Sequence, residues 1–184
     1  ISPTAHQKNT VALKSTIHKV ELQISDIGRH YYETHNLTLA QHPSETTERM
    51  MIRLAAYAWH ASEMLTFTKG LSEVSEPDLW VKNYTDDILL WIDIGQPDDD
   101  RLRRASAKAE QVVMYDFHSS NDVWWQGIQS KLTRFANLSV YQVPHEQSHE
   151  LSLLAARNMR LQCTVDHDDM WLTGEVNNQT RDAH

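Results

Sequence analysis

Two acids stand where an acid is costly. Asp78 follows Pro77. Fourteen residues on, Asp93 interrupts the apolar run Ile88-Leu89-Leu90-Trp91-Ile92-Asp93-Ile94-Gly95. A carboxylate in such a run is expensive to bury unless a cation, a proton or a good hydrogen bond compensates it. A basic helix then opens at Pro97 and carries Arg101, Arg103 and Arg104. Two acids at this spacing, on strands able to pair, look like a divalent-cation site of the nuclease type. A plainer arrangement uses the same residues. Asp93 would pair with an arginine of the following helix, and Asp78 would close the turn before Trp80.

Other groupings carry less chemistry. His145-Glu146-Gln147-Ser148-His149 matches the H-E-x-x-H pattern in which two histidines on one helix face share a zinc ion. Pro144 puts the first histidine at the helix start, and no third ligand is evident, so coincidence in a chain with 11 histidines explains the match better. Trp124 and Trp125 offer stacking surfaces, but neighbours on one helix point in different directions and packing is the simpler role. Lys69, Arg103, Arg104, Lys108, Lys131 and Arg134 would line a phosphate groove or, more simply, form a solvated face. Cys163, the single cysteine, lies between apolar residues and reads as a small buried hydrophobe. No glycine-rich phosphate loop and no Ser-His-Asp or Cys-His set is present.

The totals fit one soluble globular domain. The chain has 184 residues, 40% of them hydrophobic and 23% charged, enough for a sizeable core. A formal net charge of -8 weighs against indiscriminate binding to nucleic acid or acidic membranes, since polyanions reward a basic surface. One thiol cannot make an internal disulfide. The first residues are polar and no apolar run is long enough to cross a membrane, so the expected compartment is the cytoplasm, with no membrane partner.

The elements that must position the acids follow from periodicity. Alternation of apolar and polar residues from 12 to 24, then again over 31–40, gives a hairpin turning at 26–29. His42-Pro43-Ser44-Glu45 starts a helix reaching about residue 63, with Ser44 as cap and Glu45 and Glu48 at its positive end. Met50, Leu54, Ala58 and Ala61 form its buried stripe. Strands are expected at 65–68, 77–82, 88–94, 112–118, 138–143, 161–165 and 170–173. Helices are expected at 97–110, from 121 through Leu132, and at 146–158. The fold class is α/β, or α+β by a stricter count: a single domain with a mixed central β-sheet flanked by helices, the hairpins extending or covering it. Residues 1–11 read as a disordered leader, 12–175 as the domain and 176–184 as a polar tail.

Taken together, Ala12-Leu13-Lys14, His42-Pro43-Ser44-Glu45-Thr46, Glu48-Arg49-Met50-Met51, Phe67-Thr68-Lys69-Gly70-Leu71, Glu76-Pro77, Leu90-Trp91-Ile92-Asp93-Ile94-Gly95, Trp124-Trp125 and Asn137-Leu138-Ser139-Val140 resemble the YaeQ family of bacterial proteins. The resemblance covers nearly everything from Ala12 to Leu172. It implies a variant of the PD-(D/E)XK, or restriction-endonuclease-like, fold with added β-hairpins.

In that superfamily an acid on the second core strand and an acid on the third bind Mg²⁺, which activates water and stabilises phosphate charge. The resemblance puts Asp78 and Asp93 in those places and Glu48, or Glu45, as a third carboxylate from the first core helix. The lysine that usually lies two residues after the second acid is replaced by Gly95, followed by Gln96. Gln96 with Arg101 would then orient water or phosphate, because an arginine stays protonated and serves poorly as a base. Two functions follow. One is a divergent Mg²⁺-dependent phosphodiesterase or nuclease acting on nucleic acid through Asp78, Asp93, Glu48, Gln96 and Arg101. The other is a non-catalytic module that keeps the fold and binds a protein or nucleic acid.

Overall fold

The computed structural model describes residues 14–176 and 179–183. The expected leader at 1–11 lies outside the described residues.

Among the described residues, ten strands form two five-stranded sheets, and four α-helices flank them. The first sheet has the order β10-β9-β8-β1-β2 and the second β3-β4-β5-β6-β7. In the first, β1 (Thr16–Asp26) and β2 (Tyr31–Gln41) make the expected hairpin. A second hairpin joins β8 (Asn158–Asp166) to β9 (Asp169–Val176). In the second sheet, β3 (Leu65–Phe67) and β4 (Leu79–Lys82) run antiparallel, followed by β5 (Ile88–Ile94), β6 (Ala109–Asp116) and β7 (Leu138–Gln142), which are mutually parallel.

The α+β class holds, and the expected single central sheet becomes two. The hairpins neither extend nor simply cover the sheet that carries the acids. They join each other, because β1 and β8 pair in parallel from Lys19↔Asn158 to Asp26↔Val165. Their inner faces explain the choice. Val20, Leu22 and Ile24 on β1 and Met159, Leu161, Cys163 and Val165 on β8 alternate with polar residues, so pairing them makes one continuous apolar surface.

That surface needs a cover, and α1 (Thr47–Trp59) supplies it. Every residue from Met50 to Ala58 is buried, so the helix is enclosed on all sides and not only along the predicted stripe. One apolar cluster links it to the first sheet and to Leu79, Ile92, Ile94 and Val113 of the second. The opposite face of the second sheet is covered by α2 (Asp99–Lys108) and α3 (Asn121–Leu132). There Trp91 and Val112 pack with Ala105, and Met114 packs with Leu102, Ile128 and Leu132. Trp124 and Trp125 are both half-buried against this second cluster, so neither is a free stacking platform.

Several boundaries move for identifiable reasons. The cap of α1 is Thr46, whose hydroxyl accepts from the Arg49 N–H at 3.2 Å, while Ser44 turns back to His42. The helix stops at Trp59, where the His60 N–H closes the last turn on Ala56. The last helix, α4 (His145–Ser152), is shorter than expected, because residues from Asn158 onward pair with β1. The expected polar tail at 176–184 contains β10 (Gln179–Ala183). It adds antiparallel to the open edge of β9 and buries Ala183, a short edge pairing that composition alone does not signal.

Candidate functional site

Asp78 and Asp93 do meet. They lie on the floor of a cleft of about 300 Å³ together with Gln96 and Arg101. The cleft opens where β5 ends, beside the turn formed by Gly70–Ser72 and the loop leading to Pro77. Both acids are buried, at 4% and 3% exposure. The alternation of β5 sends Ile92 and Ile94 toward α1 and sends Trp91 and Asp93 toward α2. Asp78 sits one residue before β4. Its backbone N–H donates to Ile92, and its carboxylate accepts from the Ile94 N–H at 2.8 Å.

Each acid has its own guanidinium. Arg49, from α1, donates to both oxygens of Asp78 at 2.8 Å, to Glu45 Oε2 at 2.5 Å and to the Ile94 carbonyl at 3.0 Å. Arg101, from α2, grips Asp93 as a fork, Nε to Oδ2 and Nη2 to Oδ1, both at 2.9 Å. Its remaining donors reach the carbonyls of Val74 at 2.6 Å and Glu76 at 2.8 Å, tying the loop to the sheet. Trp91 Nε1–H adds a bond to Asp93 Oδ2 at 3.0 Å. Asp98 caps α2 by accepting the Arg101 N–H at 2.8 Å, which fixes where Arg101 starts. Glu45 is bound a second time by Arg53 at 2.7 Å. Burial raises the Asp78 carboxyl above its ordinary range and Asp93 adds to the rise, while Arg49 and the Ile94 N–H oppose it.

This arrangement does not fit Mg²⁺. That ion wants a near-octahedral set of oxygens at about 2.0–2.1 Å. Here each of the four oxygens of Asp78 and Asp93 already accepts an N–H donor, so a dication would compete with both guanidiniums for them. Glu48 does not line the cleft. Its Oε2 accepts from the Ser148 hydroxyl at 3.3 Å, toward α4. Glu45 is occupied by Arg49 and Arg53. Among the described residues, no group of three or more His, Cys, Asp and Glu converges as a metal set, and that includes the neighbourhood of His145 and His149.

Gly95 has a conformational reason. Its φ is +120°, a backbone that side-chain-bearing residues avoid, and its N–H donates to the Tyr115 carbonyl at 2.8 Å. A Cβ there would meet only His118 Cε1 at 4.0 Å, so the backbone angle, not crowding, selects glycine. Gln96 turns toward β6 and donates to Asp116 Oδ2 at 3.1 Å, and Asp116 also holds the His118 ring at 2.9 Å.

Arg49 is the cleft residue that the sequence pattern did not single out. Its signal was its place four residues after Glu45, the spacing at which helix neighbours meet. The basic residues offered as a phosphate groove are partly committed elsewhere. Arg103 pairs with Asp100, and Lys131 and Arg134 approach Asp99. Cys163 is buried and its thiol is pushed up to about 12 by burial, consistent with packing rather than nucleophilic use.

A model of the YaeQ protein family matches residues 11–182. The chain belongs to the YaeQ family. The YaeQ protein of Escherichia coli (strain K12) is 43% identical over 169 residues, spanning 91% of this chain and 93% of that one. The Salmonella typhi YaeQ protein matches at the same identity and coverage. The crystal structure of the YaeQ protein from Xanthomonas axonopodis pv. citri superposes with a TM-score of 0.84 at 38% identity, covering 92% of this chain and 95% of that one. The crystal structure from Pseudomonas syringae gives 0.85 at 34% identity, covering 92% and 93%. The two-sheet architecture is therefore shared with YaeQ proteins from other bacteria.

Proposed function

We propose that this member of the YaeQ family is a binding module on a restriction-endonuclease-like frame, in which the acid pair has become structural. The observation that carries this reading is the double lock, Arg49 on Asp78 and Arg101 on Asp93. In a metal-dependent nuclease the two carboxylates would be left for the cation, and arginines would contact the phosphate. Here the guanidiniums satisfy the protein's own acids, so neither charge is left over for a ligand. Four acids and two arginines line the cleft, an unfavourable balance for a phosphodiester. The net charge of -8 also favours a partner that is not a polyanion.

The nuclease reading keeps one support, the convergence of Asp78, Asp93, Gln96 and Arg101 on one cleft. Mn²⁺ titration by calorimetry, run beside cleavage assays on single- and double-stranded DNA and RNA, separates the two. The binding-module reading expects no Mn²⁺ heat that depends on Asp93 and no metal-dependent cleavage. Cleavage that requires Mg²⁺ or Mn²⁺ and disappears in Asp93→Asn would end it and restore a catalytic role for the pair.

A further inference from the structure

A second cavity, of about 420 Å³, lies across the carboxyl ends of β6 and β7, the position where parallel strands commonly present ligand sites. One wall is a stripe of α1: Ile52, Ala55, Ala56 and Trp59, spaced as one helix face. The two alanines leave room that a larger residue would occupy. Tyr115 and Tyr141 form a second wall, their rings stacked at 5.5 Å and 23°. The Tyr115 hydroxyl is bonded to His60 Nε2 at 2.6 Å, which fixes its ring. Burial, with Arg29 adding, lowers His60 to about 4, so the partner is neutral at neutral pH. Gln142 and Gln147 contribute amides, and Asp168, at the tip of the β8–β9 turn, is the one charged residue among the described lining.

We infer that this cavity binds a small flat aromatic molecule carrying a protonated amine. Aromatic walls stack on a flat ring and their π faces attract a cation. The apolar helix stripe accommodates the ring body, and the lone acid at the rim complements a positive group. Among the described lining residues none is a cation that would recognise a carboxylate or phosphate. Cavities of this size with apolar walls and a few polar groups suit small ligands. The inference stands apart from the acid cleft, and a nuclease result there would leave it untouched.

Ligand-observed NMR with three probes tests it: phenethylamine, phenylacetate and butylamine, each against the full chain. Phenethylamine should bind with a dissociation constant on the order of a millimolar, as its few heavy atoms allow. Phenylacetate, with the same ring and opposite charge, should bind at least about threefold more weakly, and so should Asp168→Asn toward phenethylamine. Butylamine, with the charge and no ring, should not compete. Tyr141→Ala removes a half-exposed wall residue that the core does not need, and should weaken phenethylamine about fivefold. Absence of phenethylamine binding to the folded wild type overturns the inference. So does equal binding of phenylacetate, or binding indifferent to Tyr141→Ala.

Discussion

The acid cleft and the aromatic cavity are neighbours joined through Gly95, whose N–H meets the Tyr115 carbonyl, yet they solve opposite problems. The cleft holds buried charge, and buried charge demands partners. The protein supplies them from its own helices, Arg49 from α1 and Arg101 from α2, on opposite faces of the second sheet. The cavity is walled mostly by apolar and aromatic groups, which demand nothing, so the space between them persists. A site that looks chemical in sequence can thus be self-satisfied, while a site without a motif stays open to a ligand.

The sharpest way to break this contrast is to remove a partner. Arg49→Ala would leave Asp78 and part of Glu45 uncompensated in a dry setting. Loss of one member of a buried pair typically costs about 3–5 kcal/mol. Urea denaturation should register a loss of that size. Near-neutral stability would mean that the acids are protonated or hydrated and that the cleft is less closed than the geometry indicates.

Arg101→Ala should cost somewhat less, about 2–4 kcal/mol, because its side chain is 24% exposed and water can reach the vacated place. It also sharpens the metal question. With the guanidinium gone, Asp93 and the carbonyls of Val74 and Glu76 would present hard oxygens to one another. Ca²⁺ should then raise the melting temperature of Arg101→Ala by about 2–4 °C and leave the wild type unchanged. Stabilisation of the wild type by Ca²⁺ would show that a cation already competes with Arg101.

On the aromatic side the lever is pH. His60 has its folded pKa lowered to about 4, below the value near 6.5 of an unfolded histidine. Between those values the unfolded chain binds the extra proton, so stability rises with pH across that window. The contribution is fully present above about pH 6.5 and is lost as pH falls through about 4. A pKa difference of about 2.5 makes the expected loss on the order of 3 kcal/mol. The difference in urea midpoint between wild type and His60→Gln should follow that window, and a flat difference would place His60 in contact with water.

Much of the fold was legible because alternation survives tertiary context. The hairpin of β1 and β2, the run of β5 and the helix at Arg101 are where their patterns put them. The pairing of β1 with β8 was not, since no local signal records a partner more than a hundred residues away. The tail strand β10 escaped for a related reason: an edge strand needs a neighbour more than a composition. In the site, the cost of burying Asp93 was readable, and so was the option of an arginine on the next helix. Which arginine holds Asp78 was not, because Arg49 lies in α1 and only the folded sheet brings it across. The cavity left no motif at all, as its stripe of Ile52, Ala55, Ala56 and Trp59 reads simply as one more apolar helix face.

The smallest expected effect concerns Glu48, the acid that a metal-based reading needs and the geometry leaves aside. It is half-buried in the first turn of α1, where a negative charge favours the helix terminus, and its carboxylate accepts from the Ser148 hydroxyl at 3.3 Å. Glu48→Gln keeps the shape and the acceptor and gives up only that charge. Its stability should therefore fall by no more than about 0.5–1 kcal/mol. The comparison with Arg49 one residue later is the instructive part. Adjacent positions on the same helix turn should differ several-fold in cost, because one faces a buried acid and the other faces α4. If Glu48→Gln instead abolished an Mn²⁺ signal or cost as much as Arg49→Ala, Glu48 would turn into the cleft in solution, and the three-carboxylate arrangement would be the better description of the site.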